Sequence, residues 1–178
     1  RRENLGEPLE NICNAVKRIV EEFNDVNFIY PVHLNPAVRD TVFPILEGVD
    51  RVKLINPLDV QDMHNLMDRC FMIMTDSGGL QEEAPSLGKP VLVLRKETER
   101  PEAIKAGTVK LVGVGEDDIY SSAKELLTNK AEYDKMAKAV NPYGDGFASR
   151  RIVEAILHYF GLGDKPEEFM SGLNSFEF

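Results

Sequence analysis

Residues 71–94 read FMIMTDSGGLQEEAPSLGKPVLVL. Two apolar runs bracket an Asp76-Ser77-Gly78-Gly79 turn, and a segment bearing Glu82 and Glu83 leads on to Gly88-Lys89-Pro90. Asp76 or Ser77 can cap a following helix, while Gly78 and Gly79 clear side chains from the turn so that backbone N–H groups face outward. Such N–H groups, with the positive end of the helix dipole, favour an anion, and phosphate or diphosphate is the obvious occupant. An ordinary capped turn is the competing reading, since Asp, Ser and Gly serve strand-to-helix loops without any ligand. Glu83 follows Gly79 by one helical turn, and helical side chains lean toward the N-terminus, so its carboxylate can return to the anion's neighbourhood. There it would repel a phosphate, yet accept two hydroxyl hydrogens from a sugar diol such as a nucleotide ribose. Glu82 points elsewhere and reads as solvated surface.

Arg100, in the stretch ETERPEA after the second apolar run, falls at the carboxyl edge of the sheet that these runs imply. It can neutralise phosphate or grip a sugar, with a surface ion pair to Glu97, Glu99 or Glu102 as the alternative. Two familiar phosphate loops do not match: G-x-G-x-x-G is absent, and Gly88-Lys89 is followed by Pro90 and lacks the earlier glycine of a Walker A loop. A dinucleotide dehydrogenase and a P-loop NTPase are both disfavoured. His33, His64 and His158 are scattered, so no metal cluster, cofactor site or Ser-His-Asp set follows from spacing. His33 alone stands at a strand end where ligands bind; by itself it reads as a structural hydrogen-bonding residue.

The elements that must carry these residues alternate. Leu9, Ile12, Ala15, Val16, Ile19 and Val20 predict an amphipathic helix over 7–23, and residues 36–46, 59–70, 80–87 and 101–106 predict further helices. In 59–70, Val60, Met63, Leu66 and Met67 share one face. Strands are expected at 26–32, 51–55, 71–74, 90–94 and 109–112. From 117 onward the chain is helical, at 119–127, 131–140 and 148–160, with the turn cluster NPYGDG between the last two helices. This pitch implies an α/β, doubly wound parallel sheet with helices on both faces. In such a sheet ligands bind beyond the carboxyl ends of the strands, where the 76–79 turn lies. Residues 1–163 are expected to form one domain and 164–178 a tail.

The chain has 178 residues, a net charge of -9 and a sequence pI near 4.9. That surface disfavours nucleic acid and anionic membranes, so any anion must be held by local features. Cys13 and Cys70 lie far apart without C-x-x-C spacing, which argues against a disulfide framework and fits a reducing cytoplasm. No apolar run approaches the ~18 residues of a membrane span. The chain opens on Arg1-Arg2-Glu3, without an initiator Met, directly before a helix, which reads as a piece of a longer protein.

Five stretches, RRENLGEP, YPVHLNPAVR, TDSGGLQEEAPSLGKPVLVLR, TERPEAIKAGT and NPYGDG, together resemble the non-hydrolysing bacterial UDP-N-acetylglucosamine 2-epimerases over residues 1–161. The resemblance implies the C-terminal, Rossmann-like half of a two-domain fold of the glycosyltransferase B type. Such enzymes interconvert UDP-GlcNAc and UDP-ManNAc by eliminating UDP across C1 and C2 and adding it back to a glucal-like intermediate. By resemblance Ser77, Gly78 and Gly79 hold the diphosphate, Glu83 the ribose hydroxyls and Arg100 the phosphate-sugar region. Uridine is expected near the Leu58 backbone and near Met63, where some members carry an aromatic residue. Arg1 and His33 match positions that hold a second, regulatory UDP-GlcNAc in some members. The resemblance further implies a cytoplasmic enzyme of cell-envelope polysaccharide synthesis, a homodimer when complete. The histidine that the family motif places before the double arginine, and the acidic proton-transfer residues of the N-terminal domain, are not in this chain. No catalytic residue is therefore expected here, and weak nucleotide binding without turnover is the expectation. The donor-binding half of a B-type glycosyltransferase is the rival within enzymes, and a non-catalytic nucleotide-sugar sensing module the rival outside them.

Overall fold

The apolar residues spaced along the first helix predict a single buried stripe. In the computed structural model, Leu9, Ile12, Val16, Ile19 and Val20 are buried along α1 (Glu7–Glu22), with Pro8 in its first turn. The structure describes residues 2–170; Arg1 lies outside the described residues, as does the 171–178 part of the expected tail. A 3-10 turn, Arg2–Asn4, precedes α1. Then follow β1 (Phe28–Pro31), α2 (Pro36–Leu46), β2 (Val52–Ile55), α3 (Val60–Arg69), β3 (Ile73–Thr75) and α4 (Gly78–Glu83). The remainder is β4 (Val91–Val93), α5 (Pro101–Ala106), β5 (Val109–Leu111), α6 (Glu116–Thr128), α7 (Lys130–Ala137) and α8 (Ala148–Tyr159).

Every strand pairing is parallel, as helix-length connections require. One continuous sheet was the expectation. The backbone instead forms two ladders, β1-β2 and β3-β4-β5. They are joined by packing: α1 contributes Leu9, Cys13 and Val16 to the cluster over β1 and β2, and Ile19 to the cluster around Leu92 of β4. Alternation on β4 divides the core into two layers. Val91 and Val93 face Met67 of α3, Ala84 and Ala103 of α5, while Leu92 faces Ile19 and Ala123 of α6. The α/β architecture with helices on both faces follows directly, each large buried side chain contributing roughly 1.5–3 kcal/mol.

Local chemistry sets the helix ends. Asn35 Oδ1 accepts from the Ala37 N–H at 3.0 Å to start α2, and Asp59 Oδ1 accepts from the Asp62 N–H at 2.8 Å to start α3. Val60, expected on the inner face of α3, is 72% exposed at its first position. The expected 80–87 helix starts two residues earlier, at Gly78, and passes into a 3-10 turn at Ala84–Leu87. Pro85 explains the change, since it has no N–H to continue the α pattern. Gly88 then ends the turn at φ 66, a left-handed conformation that glycine adopts without strain, and its N–H donates to the Pro85 carbonyl at 3.0 Å.

The C-terminal region differs in kind. No residue of α8 is buried. Residues 164–170 have no regular structure, although Arg151 Nε donates to the Glu167 carbonyl at 3.0 Å. Among the described residues no helix is long and apolar enough to cross a membrane.

Candidate functional site

The site grows from the carboxyl ends of β3 and β4. Thr75, the last residue of β3, turns its Oγ1 to accept from the Ser77 N–H at 3.0 Å, which shapes the start of the turn. Asn4, buried in the N-terminal segment, donates from Nδ2 to Asp76 Oδ2 at 3.2 Å and to the Leu94 carbonyl at 3.1 Å. The chain's first turn is thereby stitched onto the loop that follows β3.

Ser77 takes the N-cap position of α4, but its hydroxyl makes no capping bond. Gly79 sits beneath the Glu83 carboxylate: a Cβ placed on Gly79 would lie 3.5 Å from Glu83 Oε1 and 3.9 Å from Ser77 Oγ. The carboxylate has therefore folded back over the helix start, as the spacing predicts. Glu83 Oε2 lies 3.1 Å from His64 Nε2 of α3. A hydroxyl, two glycines and an aimed carboxylate thus converge on one end of a helical segment.

Gln81 occupies the inside of that segment and is fully buried. Its Nε2 donates to the Ser77 carbonyl at 3.1 Å, and its Oε1 accepts from Thr98 Oγ1 at 2.7 Å. Thr98 Oγ1 in turn accepts from the Arg100 N–H at 3.1 Å. One amide therefore links the Ser77 turn to the loop that delivers Arg100.

Glu82 corrects the sequence reading. It is half-buried and paired with Arg100, whose Nε donates to Glu82 Oε1, and this bond holds the Arg100 pKa above its ordinary value. Glu82 thus takes the place for which Glu97, Glu99 or Glu102 was the anticipated carboxylate, and the Arg100 Nη1 donates to the Glu99 backbone carbonyl at 3.2 Å. Arg95 is buried at the end of β4, donating from Nε to Glu3 at 3.1 Å and from Nη2 to Glu99 Oε1 at 3.1 Å. Its pKa is raised chiefly by the bond to Glu99. This cation ties the N-terminal segment to the loop before Arg100.

Other expected residues lie further out. Met63 and Leu80 pack as partly buried neighbours against the core cluster of Met67 and Ala84, which sets Met63 on the α4 side of α3. Leu58 is half-buried just before that helix. His33 is exposed at the end of β1, where its Nδ1 accepts from the Asn35 N–H at 3.1 Å; no contact brings it to the Ser77 turn. An open depression of about 550 Å³ runs along α3, lined by Val60, Gln61, His64, Asn65 and Asp68, beside the turn and not over it. No cluster of potential metal ligands occurs among the described residues.

The sequence reading missed Gln81, His64, Asn4 and Asn141. Asn141 opens the NPYGDG turn and donates from Nδ2 to Ser86 Oγ at 2.6 Å and to the Glu82 carbonyl at 3.4 Å, bracing the site helix from outside. Gln81 had a local signal, its i+4 spacing from Ser77. The other three act across 19 to 90 residues of chain.

Comparison with known proteins places the chain in a family. The family profile of UDP-N-acetylglucosamine 2-epimerase matches residues 1–157. A Thermotoga maritima relative is 70% identical over 169 residues, which is 95% of this chain and 45% of the relative. A Staphylococcus aureus MnaA structure with UDP superposes at TM-score 0.88 and 52% identity, covering 96% of this chain and 47% of that one. The Neisseria meningitidis UDP-GlcNAc 2-epimerase bound to UDP-GlcNAc gives TM-score 0.84 and 48% identity, covering 89% and 43%. The chain spans about half the length of the relatives it matches.

Proposed function

The chain belongs to the UDP-N-acetylglucosamine 2-epimerase family, and from that premise we propose that it is the UDP-binding half of such an enzyme. The observation that carries this reading is the Glu83 carboxylate folded over Gly79 beside the Ser77 hydroxyl. A nucleoside diphosphate has a matching order of groups: two phosphates for the Ser77 hydroxyl and the N–H groups of Gly78 and Gly79, and a vicinal diol one helical turn away for Glu83. Arg100 contributes positive charge at the phosphate-sugar end, with Glu82 orienting its guanidinium. Met63 and the Leu58 backbone receive the base. Arg1 and His33 are assigned to a second, regulatory UDP-GlcNAc.

The division of labour follows. Elimination of UDP across C1 and C2 builds negative charge on the leaving diphosphate, and donors fixed in the Ser77 turn stabilise it without reorganising. Removal and return of the C2 proton need acids and bases around the sugar ring, held within hydrogen-bond reach. Those groups are assigned to the N-terminal half, so this chain alone binds UDP weakly and does not turn over. Residues 1–163 form the binding unit and 164–178 a tail. The exposed apolar side chains of α8, among them Ile152, Val153 and Ile156, are the surface on which the rest of the protein rests. The complete protein is read as a cytoplasmic homodimer serving cell-envelope polysaccharide synthesis.

The test uses UDP-GlcNAc in deuterated water with the complete protein. Deuterium at C2 of recovered UDP-GlcNAc and UDP-ManNAc supports the epimerase reading. Transfer of the sugar to an added acceptor, with no exchange at C2, overturns it.

A further inference from the structure

Glu83 divides its carboxylate between two neighbours. Oε2 lies 3.1 Å from His64 Nε2, and Oε1 lies over Gly79. A carboxylate can only accept, so His64 Nε2 carries the hydrogen; the imidazolium and the Nε2-protonated neutral ring both satisfy this. Each carboxylate oxygen has two acceptor positions. Accepting from His64 therefore leaves Oε1, and a second position on Oε2, for two adjacent hydroxyls.

The two side chains are 48% and 49% exposed. A pair so wet contributes little to folding, and an unrestrained glutamate at this exposure samples several rotamers. A contact from a separate helix removes that freedom. It does so at the carboxylate on which the ribose reading depends.

We propose that His64 is a positioning residue that orients the Glu83 carboxylate toward the vicinal hydroxyls of a nucleoside diphosphate. The inference rests on the ribose role of Glu83 stated above. It also gives α3 a coherent part in the site. Met63, assigned to the base, directly precedes His64, so one helix sets both the base and the sugar ends of the ligand.

UDP and 2′-deoxy-UDP are titrated into the chain and into its His64→Ala, His64→Gln and Glu83→Gln variants, with dissociation constants from calorimetry. The amide of His64→Gln can replace the lost donor. His64→Ala is expected to weaken UDP about 3- to 10-fold, the range of one hydrogen bond, while 2′-deoxy-UDP changes less than about twofold. His64→Gln restores UDP binding. Glu83→Gln abolishes the preference for UDP, and adding His64→Ala to it weakens UDP no further. Equal weakening of both nucleotides by His64→Ala, no change in either, or failure of His64→Gln to rescue overturns the positioning role. A preference for UDP that survives Glu83→Gln, or one that the unaltered chain lacks, overturns the ribose reading itself, so the two failures are distinguishable.

Discussion

Oγ1 of the half-buried Thr98, in the loop after β4, donates a 2.7 Å hydrogen bond to Oε1 of the buried Gln81. Because Gln81 Nε2 also donates to the Ser77 carbonyl and Thr98 Oγ1 accepts from the Arg100 N–H, this bond fixes the spacing between the proposed diphosphate turn and the arginine loop.

Gln81→Leu keeps the volume and removes both ends of the bridge. The Ser77 carbonyl and the Thr98 hydroxyl each lose a partner, so urea unfolding should show a loss of about 1–3 kcal/mol. UDP binding should weaken as well, because the turn and Arg100 are no longer held in register. A variant with unaltered stability and affinity contradicts the bridge.

Asp145, in the turn before α8, supplies a pH signature of folding. Arg151 donates to both of its oxygens at 2.7 Å and holds its carboxyl well below the usual carboxylate range. Since the folded pKa is depressed, the stabilisation is present above the unfolded value of about 3.9 and is lost as pH falls through the folded one. Asp145→Asn should therefore lower the urea midpoint at pH 7 and flatten its decline at acid pH. An acid profile parallel to that of the unaltered chain contradicts the linkage.

Exposed apolar side chains on α8 predict a surface-specific result. Ile156 is 53% exposed in the chain, so Ile156→Asp should leave its unfolding midpoint unchanged while reducing binding of an apolar dye. In the complete protein, where the face is proposed to be covered, the same substitution should cost at least about 1.5 kcal/mol. Equal effects in both settings contradict the docking role.

Most of the architecture was legible because it rests on periodic burial. The spacing of Leu9, Ile12, Val16 and Ile19, and the short apolar runs around Phe28, Val52, Ile73, Val91 and Val109, mark elements that the structure places within a few residues. The break between β1 and β3 was not legible, since apolar runs report burial and not which backbone edges pair. In the site, the return of Glu83 to Gly79 followed from helix geometry alone. The Glu82 pairing with Arg100 did not, because three nearer glutamates compete in sequence and only the fold brings α4 alongside that loop. His64 was equally hidden: its partner is 19 residues away, on another helix.

The central claim is that the turn beginning at Ser77 holds the diphosphate of UDP. Titration of UDP into the ¹⁵N-labelled chain, followed by amide shifts, tests it most directly. The account predicts that the amides of Ser77, Gly78 and Gly79 move first and furthest, with those near Glu83 following and the α8 amides unmoved. Shifts confined to residues outside this turn, or none at saturating UDP, would contradict it.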